Sequence, residues 1–74
     1  MEIAPHISVD PAIHHGSVVI SGTRVPVSIV LGSLAGGMSK DDVVKEYCVS
    51  LDDIDAALAY AADLVSQTSA VAIV

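Results

Sequence analysis

The sequence is poor in aromatic and in cationic side chains. Its 74 residues include two tyrosines but no phenylalanine or tryptophan, and three lysines and arginines stand against nine acidic residues. The resulting net charge of −6 repels phosphate backbones and argues against autonomous binding of nucleic acid. The single cysteine, Cys48, excludes an internal disulfide and is typical of a reducing compartment.

The sequence also lacks a long apolar run, and its first residues do not have the pattern of a signal peptide. Its longest apolar candidate, residues 25–35, is interrupted by Pro26 and Gly32 and is shorter than the ~18 residues that a membrane span needs. The first five residues have neither the basic segment nor the long apolar segment of a signal peptide. We therefore expect a cytoplasmic protein that does not enter a membrane.

Aliphatic side chains, in contrast, are abundant. Hydrophobic residues make up 53% of the chain and the mean hydropathy is +0.68, carried by Val, Ile, Leu and Ala. A chain of 74 residues allows one small domain, and a core of that size rarely supplies more than about 3–5 kcal/mol. We therefore expect residues 1–74 to form a single domain that completes its core as a homodimer or higher oligomer.

Local patterns divide this domain into a β element, a helical bundle and a tail. Ile7–Val9 and Val18–Ile20 have the composition of short strands. The chain turns at Ser21-Gly22 and returns as a short extended arm, and Pro26 is expected at the first helical position, where its missing N–H costs nothing. The predicted parts are the β element with the Gly-Thr-Arg turn at 7–26, the bundle at 27–65 and an apolar tail at 66–74.

Capping and stop signals predict three helices, at 27–35, 40–47 and 51–65. Ser39 and Ser50 each stand three residues before an aspartate, as in a capping box, and Gly36-Gly37 ends the first helix. Apolar spacing gives each helix an expected buried face. These faces comprise Val27, Val30, Leu31 and Leu34; Val43, Val44 and Tyr47; and Leu51, Ile54, Leu58, Ala61 and Val65. The prediction is a mainly α fold, a small bundle of three to four helices with a short N-terminal β element.

The second and third predicted helices, joined by a short turn, have the outline of a helix-turn-helix. Lys40, Lys45 and Ser50 are its candidate DNA contacts. The third helix, however, begins with carboxylates that repel phosphates and accept only from cytosine among the bases. The favoured interpretation is that these acids stabilise the positive end of the helix dipole, and we expect any DNA binding by the isolated protein to be weak.

No pattern predicts a catalytic, metal or cofactor site. His6, His14 and His15 have no cysteine or carboxylate at a zinc-ligand spacing, so a solvated loop is the favoured interpretation. Cys48 is not placed against a base by any motif and is expected as a small buried group at a helix end. Gly22-Thr23-Arg24 lacks the spacing and the lysine of a P-loop. We therefore expect neither an enzyme nor a cofactor.

Arg24, the only arginine, remains as a candidate recognition group. Its guanidinium offers five donors in a fork that suits carboxylates, phosphates or clustered carbonyls. One interpretation is structural: Arg24 clamps the turn onto a helix C-terminus or onto an acid of its own dimer. The other is functional, with Arg24 as the strongest anion-recognition group in an acidic chain. The sequence alone leaves both open.

The motifs resemble one known family. Asp10-Pro11, the run Gly16-Ser-Val-Val-Ile-Ser-Gly-Thr-Arg-Val-Pro-Val27, Leu34-Ala-Gly-Gly-Met-Ser39 and Ala56-Ala-Leu-Ala-Tyr-Ala-Ala62 resemble the bacterial domain-of-unknown-function family 433. The likeness also includes Tyr47, Leu51 and Ile54, and it covers about Ile7 to Asp63.

The resemblance implies a homeodomain-like helical bundle behind a small β element, often dimeric. Members of this family are commonly proposed as antitoxins paired with PIN-like ribonuclease toxins. A protein of this kind would bind and neutralise a PIN-like toxin, with Gly22, Thr23 and Arg24 as candidate partner contacts. The alternative that the resemblance implies is a helix-turn-helix transcriptional autoregulator that binds its own promoter.

Overall fold

The computed structural model describes residues 1–67 as a three-stranded antiparallel sheet against three helices. Within this part of the chain, no helix is long and apolar enough to cross a membrane. The predicted tail at Ala70–Val74 lies outside the described residues. The elements are β1 (Glu2–Ala4), β2 (Ile7–Val9), β3 (Val18–Ile20), α1 (Val27–Ala35), α2 (Lys40–Tyr47) and α3 (Leu51–Gln67), with one 3₁₀ turn at His14–Gly16.

The sheet has the order β1-β2-β3, and its central strand pairs Ile7 with Ile20 across the ladder. Both isoleucines are fully buried and face the helices as part of one core. Val19 is also buried but alternates to the opposite face of the sheet. The two strands expected at residues 7–9 and 18–20 are confirmed. β1 was not anticipated, because three residues beside the N-terminus carry too little alternation to be distinguished from a loop.

The starts of α2 and α3 and the end of α1 lie where the capping residues predict. The Ser39 hydroxyl accepts from the Asp42 N–H at 3.1 Å, and the Ser50 hydroxyl accepts from the Asp53 N–H at 3.0 Å. At the end of α1, the Gly37 N–H donates to the Leu34 carbonyl and the Met38 N–H to the Ser33 carbonyl, each at 3.1 Å. Together with a φ of +102° at Gly37, these bonds form a Schellman motif.

The core receives at least one residue from every helix and from two strands. α1 contributes Val27 and Val30, as expected, and α2 contributes Val43 with Val44 and Tyr47 partly buried beside it. The remaining buried members are Ile7, Ile20, Val49, Ile54 and Ala57.

The buried face of α3 differs from the predicted one. Of the expected stripe, Ile54 is fully buried and Ala61 is partly buried. Leu51, Leu58 and Val65 are 49%, 39% and 71% exposed. Ala57 takes the central position instead, because its small side chain lets α3 approach the bundle closely. The leucines at seven-residue spacing are thereby rotated towards solvent.

Three smaller expectations were wrong. Pro26 is the N-cap of α1, with extended backbone at φ −65° and ψ 139°, rather than its first helical residue. Cys48 is exposed and not buried, because it ends α2 in the left-handed conformation at φ 56° and leaves the core position to Val49. α3 continues through Gln67, two residues past the expected end at Val65.

Candidate partner-binding site

The backbone of the turn that follows β3 is fixed by four hydrogen bonds. The Thr23 N–H and the Thr23 hydroxyl both donate to the Ile20 carbonyl, at 3.0 and 2.8 Å. The Val25 N–H donates to the Thr23 hydroxyl at 3.0 Å, and the Ile20 N–H donates to the Val25 carbonyl at 2.9 Å. Gly22 adopts a φ of +78° at the third position, as a type II turn requires. Gly22 and Thr23 therefore shape the turn.

A second support for this turn comes from the loop between β2 and β3. The His14 Nε2–H donates to the Arg24 carbonyl at 3.0 Å, and the Ser17 hydroxyl donates to the His14 carbonyl at 2.9 Å. The sequence did not indicate this contact, because ten residues and a strand separate the histidine from the arginine. The Arg24 carbonyl and the backbone of its two neighbours, Thr23 and Val25, are therefore held by hydrogen bonds.

The Arg24 side chain, in contrast, is exposed. Its guanidinium makes no hydrogen bond and no ion pair with any residue of the described chain, 1–67. Within residues 1–67, then, Arg24 does not clamp the turn onto a helix C-terminus or an acid. The structural alternative therefore requires a contact outside the described residues, such as one with another subunit.

Arg24 stands at the edge of an open cleft of about 500 Å³. Ile13 and the buried Val19 give this cleft apolar walls, while Asp10 and Ser8 contribute polar groups. One Asp10 oxygen already accepts from the Ala12 N–H at 2.9 Å. The cleft thus combines the guanidinium of Arg24 with an apolar surface.

The three candidate DNA contacts do not form one basic surface. The Lys40 ammonium lies 2.8 Å from a carboxylate oxygen of Asp55, and Ser50 is engaged in the cap of α3. Lys45 is exposed near the other end of α2, without an ion pair among residues 1–67. Acidic side chains therefore partner or neighbour the cations that a DNA contact would need.

The start of α3 contains a contact that the sequence did not reveal. One oxygen of Asp53 accepts from the Ser50 N–H at 3.0 Å, which completes a reciprocal capping box. The other oxygen lies 2.7 Å from Nδ1 of His6, in the turn between β1 and β2. A separation of 47 residues conceals this pair from any local pattern.

The ionisation of both partners is shifted by this contact. The hydrogen bond to Asp53 raises the pKa of His6, against a smaller opposing effect of desolvation. Burial by itself would raise the pKa of Asp53, but hydrogen bonds from Ser50 and His6 outweigh it and leave that pKa lowered. The charged forms of both groups are thus favoured in the folded protein.

The three histidines do not share a contact. His6 contacts Asp53, His14 contacts the Arg24 carbonyl, and His15 lies exposed at a φ of 56°. Among the residues that the structure describes, no three histidine, cysteine or acidic side chains come together in a group that could hold a metal ion.

Taken together, the fold and the site define a small, mainly helical domain, as predicted, in which a short three-stranded sheet and an arginine-bearing turn precede three helices. The chain belongs to the family described as "Protein of unknown function (DUF433)", which matches residues 7–61. The match begins at β2, includes the arginine turn and the pair α2–α3, and stops inside α3. No curated protein and no solved structure matches the chain.

Proposed function

We propose that this protein is a non-enzymatic, antitoxin-like protein of the cytoplasm that binds and neutralises a PIN-like ribonuclease. One observation carries the proposal: an exposed guanidinium, without a partner in residues 1–67, on a turn whose backbone is held by hydrogen bonds from two directions. The resemblance of the chain to antitoxin-like proteins supplies the class of the partner.

The chemistry of the two surfaces is complementary. PIN-like ribonucleases hold their metal ions with clustered carboxylates, and a guanidinium fork binds a carboxylate through two parallel hydrogen bonds. Because the turn is already fixed, little backbone entropy is lost when Arg24 is placed against such a site. An arginine that pairs with a metal-binding carboxylate would also displace the metal, which explains inhibition without any catalytic group on this protein.

The proposal is tested first by the genes that flank this one and then by binding. We expect a neighbouring gene to encode a PIN-like ribonuclease that co-purifies with this protein and loses activity in the complex. In the binding measurement Lys45→Ala is the control for Arg24→Ala, since Lys45 is another exposed cation without an ion pair in the described chain. A ribonuclease from the same operon that neither binds this protein nor loses activity in its presence would contradict the proposal.

We further propose that the protein is a homodimer, formed through the outer face of α3. Leu51, Leu58 and Val65 recur at seven-residue spacing on this face and are exposed by 39–71%. A repeat of seven keeps such residues on one side of a helix, as in helix pairs that pack side by side.

Light scattering at about tens of micromolar tests the dimer. We expect the mass of a dimer for the wild-type protein and of a monomer for Leu58→Gln, whose folding should be unaffected because Leu58 is outside the core cluster. A wild-type protein that is monomeric under these conditions would contradict this proposal.

A second candidate function is DNA-binding autoregulation, favoured by the connection between α2 and α3. Three residues, 48–50, join these helices, and the helices pack against each other. We infer a helix-turn-helix from this short connection; in such a motif the start of the second helix contacts bases. Ser50, Asp52 and Asp55 occupy that start, however, and acids there repel the phosphate backbone.

The DNA-binding candidate is tested on the promoter of the protein's own operon. We expect the isolated protein to bind it weakly and with strong salt dependence, far from the ~10⁻⁸–10⁻¹¹ M of specific operators. Nanomolar binding at physiological salt, without a partner protein, would instead make autoregulation the leading function.

A further inference from the structure

His6 connects the N-terminal hairpin to the first turn of α3. It lies in the turn between β1 and β2 with a φ of +66°, and its ring nitrogen Nδ1 is 2.7 Å from Asp53. Its backbone is held as well: the His6 N–H donates to a carboxylate oxygen of Glu2 at 3.2 Å, and its carbonyl accepts from the Ser21 N–H at 2.8 Å. The ring is therefore presented to α3 from a fixed position.

Asp53 is fixed equally well on its own side. Its backbone N–H and one of its carboxylate oxygens both bond to Ser50, in the reciprocal cap of α3. The remaining oxygen is the one that faces His6. The side chain of Asp53 is 18% exposed and that of His6 is 47% exposed, so protons from solvent reach the contact easily.

We propose that His6 and Asp53 form a proton-dependent clasp, which holds the β1–β2 hairpin against the start of α3 when His6 is protonated and loosens when His6 loses its proton. The protonated ring makes a charge-assisted hydrogen bond and an ion pair with the carboxylate. The neutral ring can still donate from Nδ1 to the carboxylate, but it no longer carries the positive charge of the ion pair, so the contact is weaker.

Among the described residues, the charged groups that face His6 favour its protonated form. Asp53 and Asp52 approach it from α3 and Glu2 approaches it from β1, and each raises the pKa of the histidine. A raised pKa means that the stabilisation is fully present below the ordinary value of 6.5 and is lost as the pH rises through the higher value of the folded protein. The clasp therefore loosens as the pH rises through the raised pKa of His6.

The hairpin that the clasp holds forms one wall of a groove. Ala4 and Pro5, next to His6, line an opening of about 320 Å³ against Ala56, Ala59 and Tyr60 of α3. Since Asp53 precedes Ala56 by one helical turn, both walls lie beside the clasp. Loss of the His6–Asp53 contact is thus expected to weaken the packing of the β1–β2 hairpin against this face of α3.

The chain offers a matched pair of variants for the test. His6→Asn removes the titrating ring, and asparagine tolerates the left-handed backbone at this position. His15→Asn makes the same replacement at a second left-handed histidine, with φ 56° and no contact to Asp53. Asp53→Asn keeps an oxygen that can accept from Ser50 but removes the charge that faces His6.

Proton NMR of the histidine rings and hydrogen exchange of the Ser21 amide test the clasp. We expect His6 to titrate above 6.5 in the wild-type protein and in His15→Asn, and at a lower pH in Asp53→Asn. The protection factor of the Ser21 amide should fall as the pH rises from below 6.5 through the titration of His6, in the wild type and in His15→Asn. In His6→Asn it should stay constant over this range.

Two results would overturn the clasp. One is a titration of His6 at or below 6.5 in the folded wild-type protein. The other is a pH dependence of Ser21 protection in His6→Asn that equals that of the wild type, because another group would then be responsible for it.

Discussion

The turn before α1 and the turn before α3 differ in how their side chains are bonded. Before α3, the polar side chains of Ser50 and Asp53 bond to backbone N–H groups and to His6. Before α1, Thr23 serves the backbone in the same way, but the neighbouring Arg24 leaves its guanidinium exposed, without a partner in residues 1–67.

This difference separates structural from functional polar groups. A side chain that satisfies backbone donors is explained by the fold, and its removal should lower stability. A large cationic side chain on an equally rigid turn, without a bond to any of residues 1–67, has no such explanation within the described part of the chain. The substitutions below test that distinction with one stability measurement, urea unfolding, applied to both turns.

The largest stability difference is expected between two glycines. Gly22→Ala forces alanine to a φ of +78°, which costs roughly 1–2 kcal/mol although a Cβ there would meet no atom within 4 Å. Gly32→Ala is the control, since a Cβ in the middle of α1 is equally unobstructed and the backbone is helical.

Gly32→Ala should stabilise the protein by about 0.5–1 kcal/mol. The two substitutions thus change the free energy of unfolding in opposite directions, because the backbone is left-handed at Gly22 and helical at Gly32. Equal effects of the two alanines would show that the turn at Gly22 is not held in its left-handed conformation.

A smaller loss is expected at the cap of α3. Ser50→Ala removes the acceptor for the Asp53 N–H and should lower the free energy of unfolding by about 1 kcal/mol. Ser28→Ala is the matched control: Ser28 is exposed in the first turn of α1, and its hydroxyl makes no hydrogen bond within the described part of the chain.

The control should change stability by less than about 0.5 kcal/mol. Indistinguishable effects of the two serine variants would mean that the capping box contributes nothing to the stability of α3.

The arrangement of elements was largely predictable because its signals are local. Two serines with an aspartate three residues later and a glycine pair located the ends of the helices. Each of these residues acts within a few positions of itself, so the sequence contains the whole signal. The turn at Gly22 was visible for the same reason.

Long-range contacts and the rotation of α3 were not predictable. The bonds from His6 to Asp53 and from His14 to Arg24 depend on how the hairpin and the loop fold back. The buried side of α3 depends on how closely it packs, and periodicity favoured the larger leucines over Ala57. Likewise, only the three-dimensional structure could show that the Arg24 guanidinium has no partner in residues 1–67.

The smallest stability effect is expected at Arg24 itself. Since the guanidinium bonds to nothing in the described chain, Arg24→Ala should change the free energy of unfolding by less than about 0.5 kcal/mol. Lys45→Ala should have a similarly small effect. A clear loss of stability in Arg24→Ala alone would assign this arginine to the fold or to a contact between subunits.

The most direct test of the account measures, for Arg24→Ala and Lys45→Ala, both the melting temperature and the affinity for the PIN-like ribonuclease. Removal of one member of a buried interfacial charge pair costs about 2–5 kcal/mol, so we expect Arg24→Ala to lose more than tenfold in affinity, roughly 1.4 kcal/mol. Its melting temperature should match that of the wild type, and Lys45→Ala should retain both properties. An Arg24→Ala protein that melts earlier but binds the ribonuclease with unchanged affinity would contradict the account.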